Sequence, residues 1–504
     1  MNPNSNFAIR VWVVIGLLAY VGLPWYAQQD SSWVSVWGQV FAGPEAGNGL
    51  VQALVHGRQW LLVGVAGLLL ATVGLAMPAG KQQGGWLVLG GGFGALGLVL
   101  SGFAIRSKGW AFEALNGKFG ELATNQFGIG IGGSVAIVAL LMLAAFGLAR
   151  CGYFKGDLFV AASVVGCGAL LLLFIAYPVT KALAGAFLNE DGQWSLGALA
   201  ERVGNERLWG LGCVAGGLRC GVAWNTLALA LLTASGTVVL GTMMALMAER
   251  GAVRLQGPLK LLAMLPIITP PFVVGLGLIL LFGRAGVVNQ LLESAFGIEP
   301  TRWFYGMFGV WVAQMFAFTP IAFMIMRGVV QGVAPSLEEA ALTLRADRSR
   351  TFWTVTLPLL KPGLANAFLV GFIESIADFG NPVVVGGQFA VLSTEIFFAI
   401  VGAQYDQGKA ASLAWILTLF ALAVFVAQRG LLGKGSFTTV SGKGDSGLPM
   451  PLPDGVRRTI YAVALPWMAF TVIVYLFAFA GGFVQTWGRD YTLTLGHFKT
   501  AFAL

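Results

Sequence analysis

The chain has 504 residues, of which 57% are hydrophobic and only 10% charged, whereas a soluble protein would carry about a quarter charged residues. With a mean hydropathy of +0.79, this composition excludes an ordinary soluble protein and reads as a polytopic, all-α integral membrane protein, whose basic balance needs no nucleic-acid partner to explain it. The formal charge of +8 follows membrane topology, and the 71 glycines show no collagen-like period but suit helices that pack closely in lipid.

Apolar windows long enough to span a bilayer occur at 9–26, 60–77, 86–104, 127–148 and 158–177. Six more follow at 225–247, 261–282, 306–326, 363–379, 410–426 and 459–483, about eleven spans in all. The first is read as a span; a cleaved signal peptide is the alternative, disfavoured because no small-x-small site follows it. If the N-terminus is cytoplasmic and the spans alternate, the inner side holds 17 of the 30 Lys and Arg but 7 of the 22 Asp and Glu. That bias follows the positive-inside rule.

In chain order, 1–185 holds five spans and 186–219 is an outer segment. The block 220–430 carries a polar island at 335–362, 431–458 is a Gly/Ser/Pro-rich inner linker, and 459–504 is a last span with an outer tail. The tail, Trp487 to Leu495, echoes the outer segment around Trp194-Ser195-Leu196. A second copy of the 220–430 block is therefore expected to begin beyond Leu504. Cys151, Cys167, Cys213 and Cys220 lack metal-ligand spacing. Free thiols are the expectation, and a Cys213–Cys220 pair on the outer side is the alternative.

The island is patterned as structure. Ser336 with Glu339 spells a capping box, so a short helix is predicted from Leu337 to about Leu344. A second run, 349–356, is predicted to close at Leu357-Pro358. Glu374 and Asp378, four apart at the end of a span, share a helical face and either border an aqueous path or pack between helices. Pro266, Pro270 and Pro271 break the 261–282 window, as prolines near a substrate path do, although prolines are also tolerated for purely structural reasons. No Gly-Lys pair precedes Ser or Thr, the only histidines are His56 and His497, and no nucleophile, base and orienter assemble. No catalytic residue, cofactor or metal site is called.

The island resembles the EAA loop of membrane subunits of binding-protein-dependent ABC importers. Glu339-Ala340-Ala341, then position 345, then Val355-Thr356-Leu357-Pro358 keep the family's spacing, but Arg345 stands where the family has Gly. The entry at Asn225-Thr226-Leu227 agrees. Ser375 to Pro382 and Val391 to Phe398 look most like the ferric-iron permeases, which are fused double-length chains. The resemblance implies a type I ABC importer permease core in a bacterial inner membrane. Its partners would be cytoplasmic ABC ATPase subunits, a periplasmic substrate-binding protein, a second permease domain and membrane lipid; nucleic acid is not among them. Glu338, Glu339, Ala340, Ala341, Arg345, Leu357 and Pro358 would couple to the ATPase, with Glu339 making the polar contact. Glu374, Asp378, Pro270 and Pro271 would border the pathway. Ferric iron is the expected cargo; thiamine, a polyamine, a phosphonate or an oxyanion are alternatives within the class, and an ATPase-independent secondary transporter is the alternative class.

Overall fold

A computed structural model of the chain describes residues 4–27, 40–41, 46–106, 109–110, 114–120, 122, 128–189, 193–213, 220–251, 256–403, 405–432 and 450–503. Ten helices among the described residues are long and apolar enough to cross a membrane. The chain divides into two compact units, Met1–Val179 and Thr180–Leu504, against a boundary expected near 185.

The first unit contains α1 (Asn4–Gly22), α2 (Leu62–Ala76), α3 (Lys81–Ala104), α4 (Ile131–Arg150) and α5 (Leu158–Leu171). Helix α3 is sandwiched between α2 and α4. A Cβ on Gly90 would lie 2.6 Å from Ala71 N, and one on Gly67 2.6 Å from Gly94 Cα. Glycine at these crossings lets the backbones touch, which is how helices associate where no hydrophobic effect drives them together. Tyr20, Trp25, Leu68, Leu87 and Leu140 fill the core, and the Tyr20 hydroxyl donates to Leu61 O at 3.0 Å, satisfying the polar end of a buried ring. A two-stranded hairpin, β1 (Ile105–Arg106) with β2 (Gly109–Trp110), follows α3.

The second unit is built on α6 (Val222–Arg250), which packs against α9 (Met307–Gln331), α11 (Leu357–Ala377) and α14 (Asp454–Gly481). Between these lie α7 (Gln256–Ile268), α8 (Pro271–Phe282), α10 (Pro335–Thr343), α12 (Leu392–Val401) and α13 (Gln407–Leu432). Met244, Met247, Phe323, Met326, Leu360 and Met468 form the main core. The tail folds as an antiparallel hairpin, β3 (Val484–Thr486) with β4 (Asp490–Leu493), followed by a short helix Gly496–Phe502. The segment it echoes has the same plan: a bridge pairs Leu188 with Trp194, and helix Leu196–Val203 follows, capped by Ser195.

Four expectations change. The 261–282 window is two helices, because Pro270 has extended backbone (ψ 143°) and Pro271 starts α8; the crossing stretch is Phe272–Phe296. The first window gives α1, whose apolar part is shorter than the ten crossing helices. Leu357-Pro358 does not close a helix: a π turn, Phe352–Thr356, runs straight into α11. Proline lacks an N–H and its ring clashes with the carbonyl four residues back. The π turn absorbs this, with Leu357 N–H reaching Phe352 O five residues back. Finally, Cys213 and Cys220 are joined as a disulfide with Cα atoms 4.9 Å apart, a usual span for such a bridge. Gly221 N–H donates to Gly210 O at 2.7 Å and folds the flanking chain back on itself; Cys151 and Cys167 are free. Most of the Gly/Ser/Pro linker, 433–449, lies outside the described residues.

Candidate functional site

Two constellations in the second unit hold the residues that the sequence singles out. The first is α10 with the turn after it. Its first helical residue is Pro335, with Ala334 at the cap, so the capping box at Ser336 is not the helix start. Proline is preorganised for the first helical position, and the helix therefore begins two residues early. Adjacent residues of a helix point in different directions, and the two carboxylates have different surroundings. Glu339 and Ala340 are exposed, and Ala341 is half-buried. Glu338, grouped with them by the resemblance, is 1% exposed and turned into the bundle. Its Oε1 accepts from Arg250 Nη1 at the end of α6 and from Thr356 Oγ1 at the end of the π turn. Its Oε2 accepts from Met450 N at 3.3 Å. Leu357 and Pro358 are half-buried in the helix that continues from there.

Arg345 keeps the backbone that glycine would adopt there, with φ 63°. Arg345 N–H donates to Leu342 O at 2.9 Å and Ala346 N–H to Ala341 O at 3.1 Å. These two bonds are the Schellman pattern, which satisfies the last carbonyls of a helix and needs a left-handed residue after it. The turn thus takes a left-handed shape that suits glycine, with an arginine in it.

The second constellation surrounds Asp378, which ends α11 by turning to ψ 116°. Its carboxylate accepts from Gln314 Nε2 (3.0 Å), Asn381 Nδ2 (2.9 Å) and Asn381 N (3.2 Å). Gln314, fully buried in the middle of α9, also donates to Ser375 O and accepts from Thr233 Oγ1 (2.8 Å) and Ser375 Oγ (2.7 Å). All its amide groups are used. Ser393 Oγ of α12 closes the cluster on Asp378 O at 2.7 Å. One side-chain network therefore ties α6, α9, α11 and α12 together. The carboxylate of Asp378 takes three hydrogen bonds within it, whereas Glu374 is half-buried and its carboxylate has no hydrogen bond or ion pair among the described residues. The two carboxylates expected on one face have separate environments because the chain leaves the helix at Asp378. Sequence reasoning missed Gln314 and Thr233; a lone amide inside an apolar span is the signal that marks Gln314.

Pro270 is exposed at the break between α7 and α8. The preceding residue, Thr269, shares a hydroxyl hydrogen bond with Tyr475 of α14. Elsewhere in the unit, Arg284, Arg302, Tyr305, Gln388 and Trp487 line a cleft of about 760 Å³.

Residues 214–432, from just before α6 to the end of α13, match the family described as binding-protein-dependent transport system inner membrane component. The chain is 39% identical over 368 residues to the ferric transport system permease protein FbpB of Actinobacillus pleuropneumoniae, covering 73% of this chain and 52% of that protein. It is 38% identical over 413 residues to the putative ferric transport system permease protein FbpB 1 of Haemophilus influenzae, covering 81% and 63%. The chain thus spans between half and two thirds of the length of these relatives. It is also 31% identical over 251 residues to the molybdenum transport system permease protein ModB of Mycobacterium tuberculosis, covering 48% of this chain and 88% of that one. A chain from the crystal structure of a bacterial ABC transporter involved in the import of alginate overlays 55% of this chain and 98% of its own length, at TM-score 0.45 and 19% identity. With nearly the whole of a relative covered and the family pattern matched across the helices that carry both constellations, the chain belongs to the family of binding-protein-dependent transport system inner membrane components.

Proposed function

We propose that the chain is a membrane-spanning permease of an ATP-driven importer that passes ferric iron from a periplasmic binding protein to the cytoplasm. In this reading α10 lies on the cytoplasmic face of a bacterial inner membrane, and the N-terminus is on the same side. A cytoplasmic ABC ATPase subunit takes α10 in a groove: Glu339 supplies the polar contact, Ala340 and Ala341 allow close approach, and the Schellman turn at Arg345 fixes the helix end. A second permease domain completes the path, and lipid surrounds the bundle. The ATPase does the hydrolysis. The observation that carries this reading is a short helix with Glu339 and Ala340 exposed, rooted in the bundle by its neighbour Glu338. Glu374, the carboxylate near a span end with no partner among the described residues, is assigned to the pathway. Asp378 is assigned to holding the helices that form it.

The experiment is Glu339→Lys in the full transporter. The reading expects the ATPase to stop co-purifying with the permease and uptake to vanish; retention of both would overturn it. An oxyanion cargo is the second reading, favoured by coverage of nearly the whole molybdenum permease relative. Competition between ferric ion and molybdate for uptake separates the two.

A further inference from the structure

We infer that Glu338 is a positioning residue that passes the displacement of α10 to α6 and to the start of α14, and that it acts in transmission and not in docking. This rests on the reading of α10 as the ATPase contact.

The first observation is how little else holds the helix. Within α10 only Pro335 and Glu338 are buried, while Leu337, Leu342 and the adjoining Leu344 are 48%, 43% and 83% exposed. Proline offers no polar contact from its side chain. Glu338 is thus the buried charged contact through which a push on α10 reaches the bundle, beside the apolar contact of Pro335.

The second observation is where that carboxylate leads. Its partners are 88, 18 and 112 residues away in sequence. Arg250 terminates α6, the helix against which α9, α11 and α14 pack. Thr356 ends the π turn, the one irregular stretch between the loop and α11. Met450 precedes Leu452, whose side chain is buried in the same core cluster as Met247, Met326 and Phe352. An ionised carboxylate accepts several hydrogen bonds at once, so Glu338 can hold three elements at a single point, which no apolar side chain does.

The third observation is the choice of charge. Side-chain exposures of 2% for Arg250 and 1% for Glu338 make this a buried ion pair, and such pairs add little stability over apolar residues of the same volume. The pair is also far from optimal for strength, since Arg250 Nε and Nη2 have no partner among the described residues. Stability alone does not explain it, whereas a directional link between moving elements does.

The test uses the complete transporter in proteoliposomes with its ATPase and a binding protein loaded with ferric ion, measuring uptake, ATP hydrolysis and ATPase retention. Glu338→Gln keeps the size but loses the charge and the acceptor for Met450. Uptake per ATP should fall about tenfold, within the usual range for coupling between two sites, with ATPase retention unchanged and hydrolysis within about twofold. Thr356→Val removes one bond and no charge, and should lower the ratio about threefold in the same direction. The double variant Glu338→Leu/Arg250→Met should assemble and still transport poorly per ATP. A wild-type ratio in Glu338→Gln, or one restored by the apolar pair, would show a pin for stability only and overturn the proposal. Loss of ATPase from an intact Glu338→Gln permease would overturn it in favour of docking. If Glu338→Gln does not assemble, Thr356→Val decides, and a wild-type ratio there overturns transmission. Retention of ATPase by Glu339→Lys sinks the docking reading separately.

Discussion

Two carboxylates in the family-matched region each gather three donors, and they do so in contrasting ways. Glu338 is held by a guanidinium, a hydroxyl and a backbone amide, and the next residue, Glu339, is exposed. Asp378 is held by neutral amides alone, from Gln314 and Asn381, in a network that also engages Thr233, Ser375 and Ser393. The first joins a peripheral helix, through one side chain, to the end of α6, the π turn and the chain before α14. The second stitches four helices of the bundle to one another at many points. A carboxylate shared by three separate elements can pass on a displacement, whereas a network spread over four packed helices resists one. Under the proposed function, the difference gives coupling to the loop and rigidity to the cluster.

The comparison breaks most visibly at Gln314. Gln314→Leu removes both N–H donors of the central amide and the oxygen that accepts two bonds, stranding Thr233 and Ser375 and leaving Asp378 with Asn381 only. Loss of about 3 kcal/mol is expected from several buried polar groups left unpaired, read as a fall in the melting temperature of the detergent-solubilised chain. A wild-type melting curve would mean that the cluster is not a rigid element.

The next effect separates Asp378 from Glu374. Asp378→Asn keeps the shape but turns one acceptor into a donor facing the donors of Gln314 and Asn381. It should lower stability by about 1–2 kcal/mol and reduce uptake only as far as folding falls. Glu374→Gln should leave stability within about 0.5 kcal/mol, as a substitution outside any network does, yet lower uptake. The opposite pattern, with uptake tracking Asp378 at constant stability, would return Asp378 to the pathway.

These two sites also show what a sequence reveals. The loop is legible because its logic is local: the spacing from Glu339 to Pro358 lies within one supersecondary unit. Its errors are local too. The capping box points to Leu337, but Pro335, already fixed in helical φ, starts the helix earlier, and the partners that draw Glu338 inward lie on other elements. Leu357-Pro358 reads as a stop, yet a π turn of five residues lets the helix continue. At the cluster, the partners of Gln314 are 81, 61 and 64 residues away, and no periodicity predicts which helix will face which. The apolar windows gave the spans for the same reason that they could not give the network: hydropathy records burial in lipid and says nothing of neighbours. For Cys213 and Cys220 pairing was only the alternative, because nothing in their spacing reveals the backbone bond between Gly210 and Gly221 that brings the flanking chain together.

The smallest effect is the sharpest test of the loop. At φ 63° Arg345 pays the steric penalty of a left-handed residue, because its Cβ crowds the following carbonyl, an effect of about 1–2 kcal/mol that glycine escapes. Glycine gives back part of that through the greater freedom of the unfolded chain. Arg345→Gly should therefore stabilise the turn by about 1 kcal/mol or slightly less, while Arg345→Val, β-branched and unable to accept this backbone, should destabilise it by more than the arginine does. Hydrogen exchange at the amides of Arg345 and Ala346 reads the effect directly, since both donate in the Schellman pair: protection should rise in the glycine variant and fall in the valine variant. Equal protection in all three would mean that the left-handed turn is not the conformation in the membrane, and the geometry that presents Glu339 would lose its support.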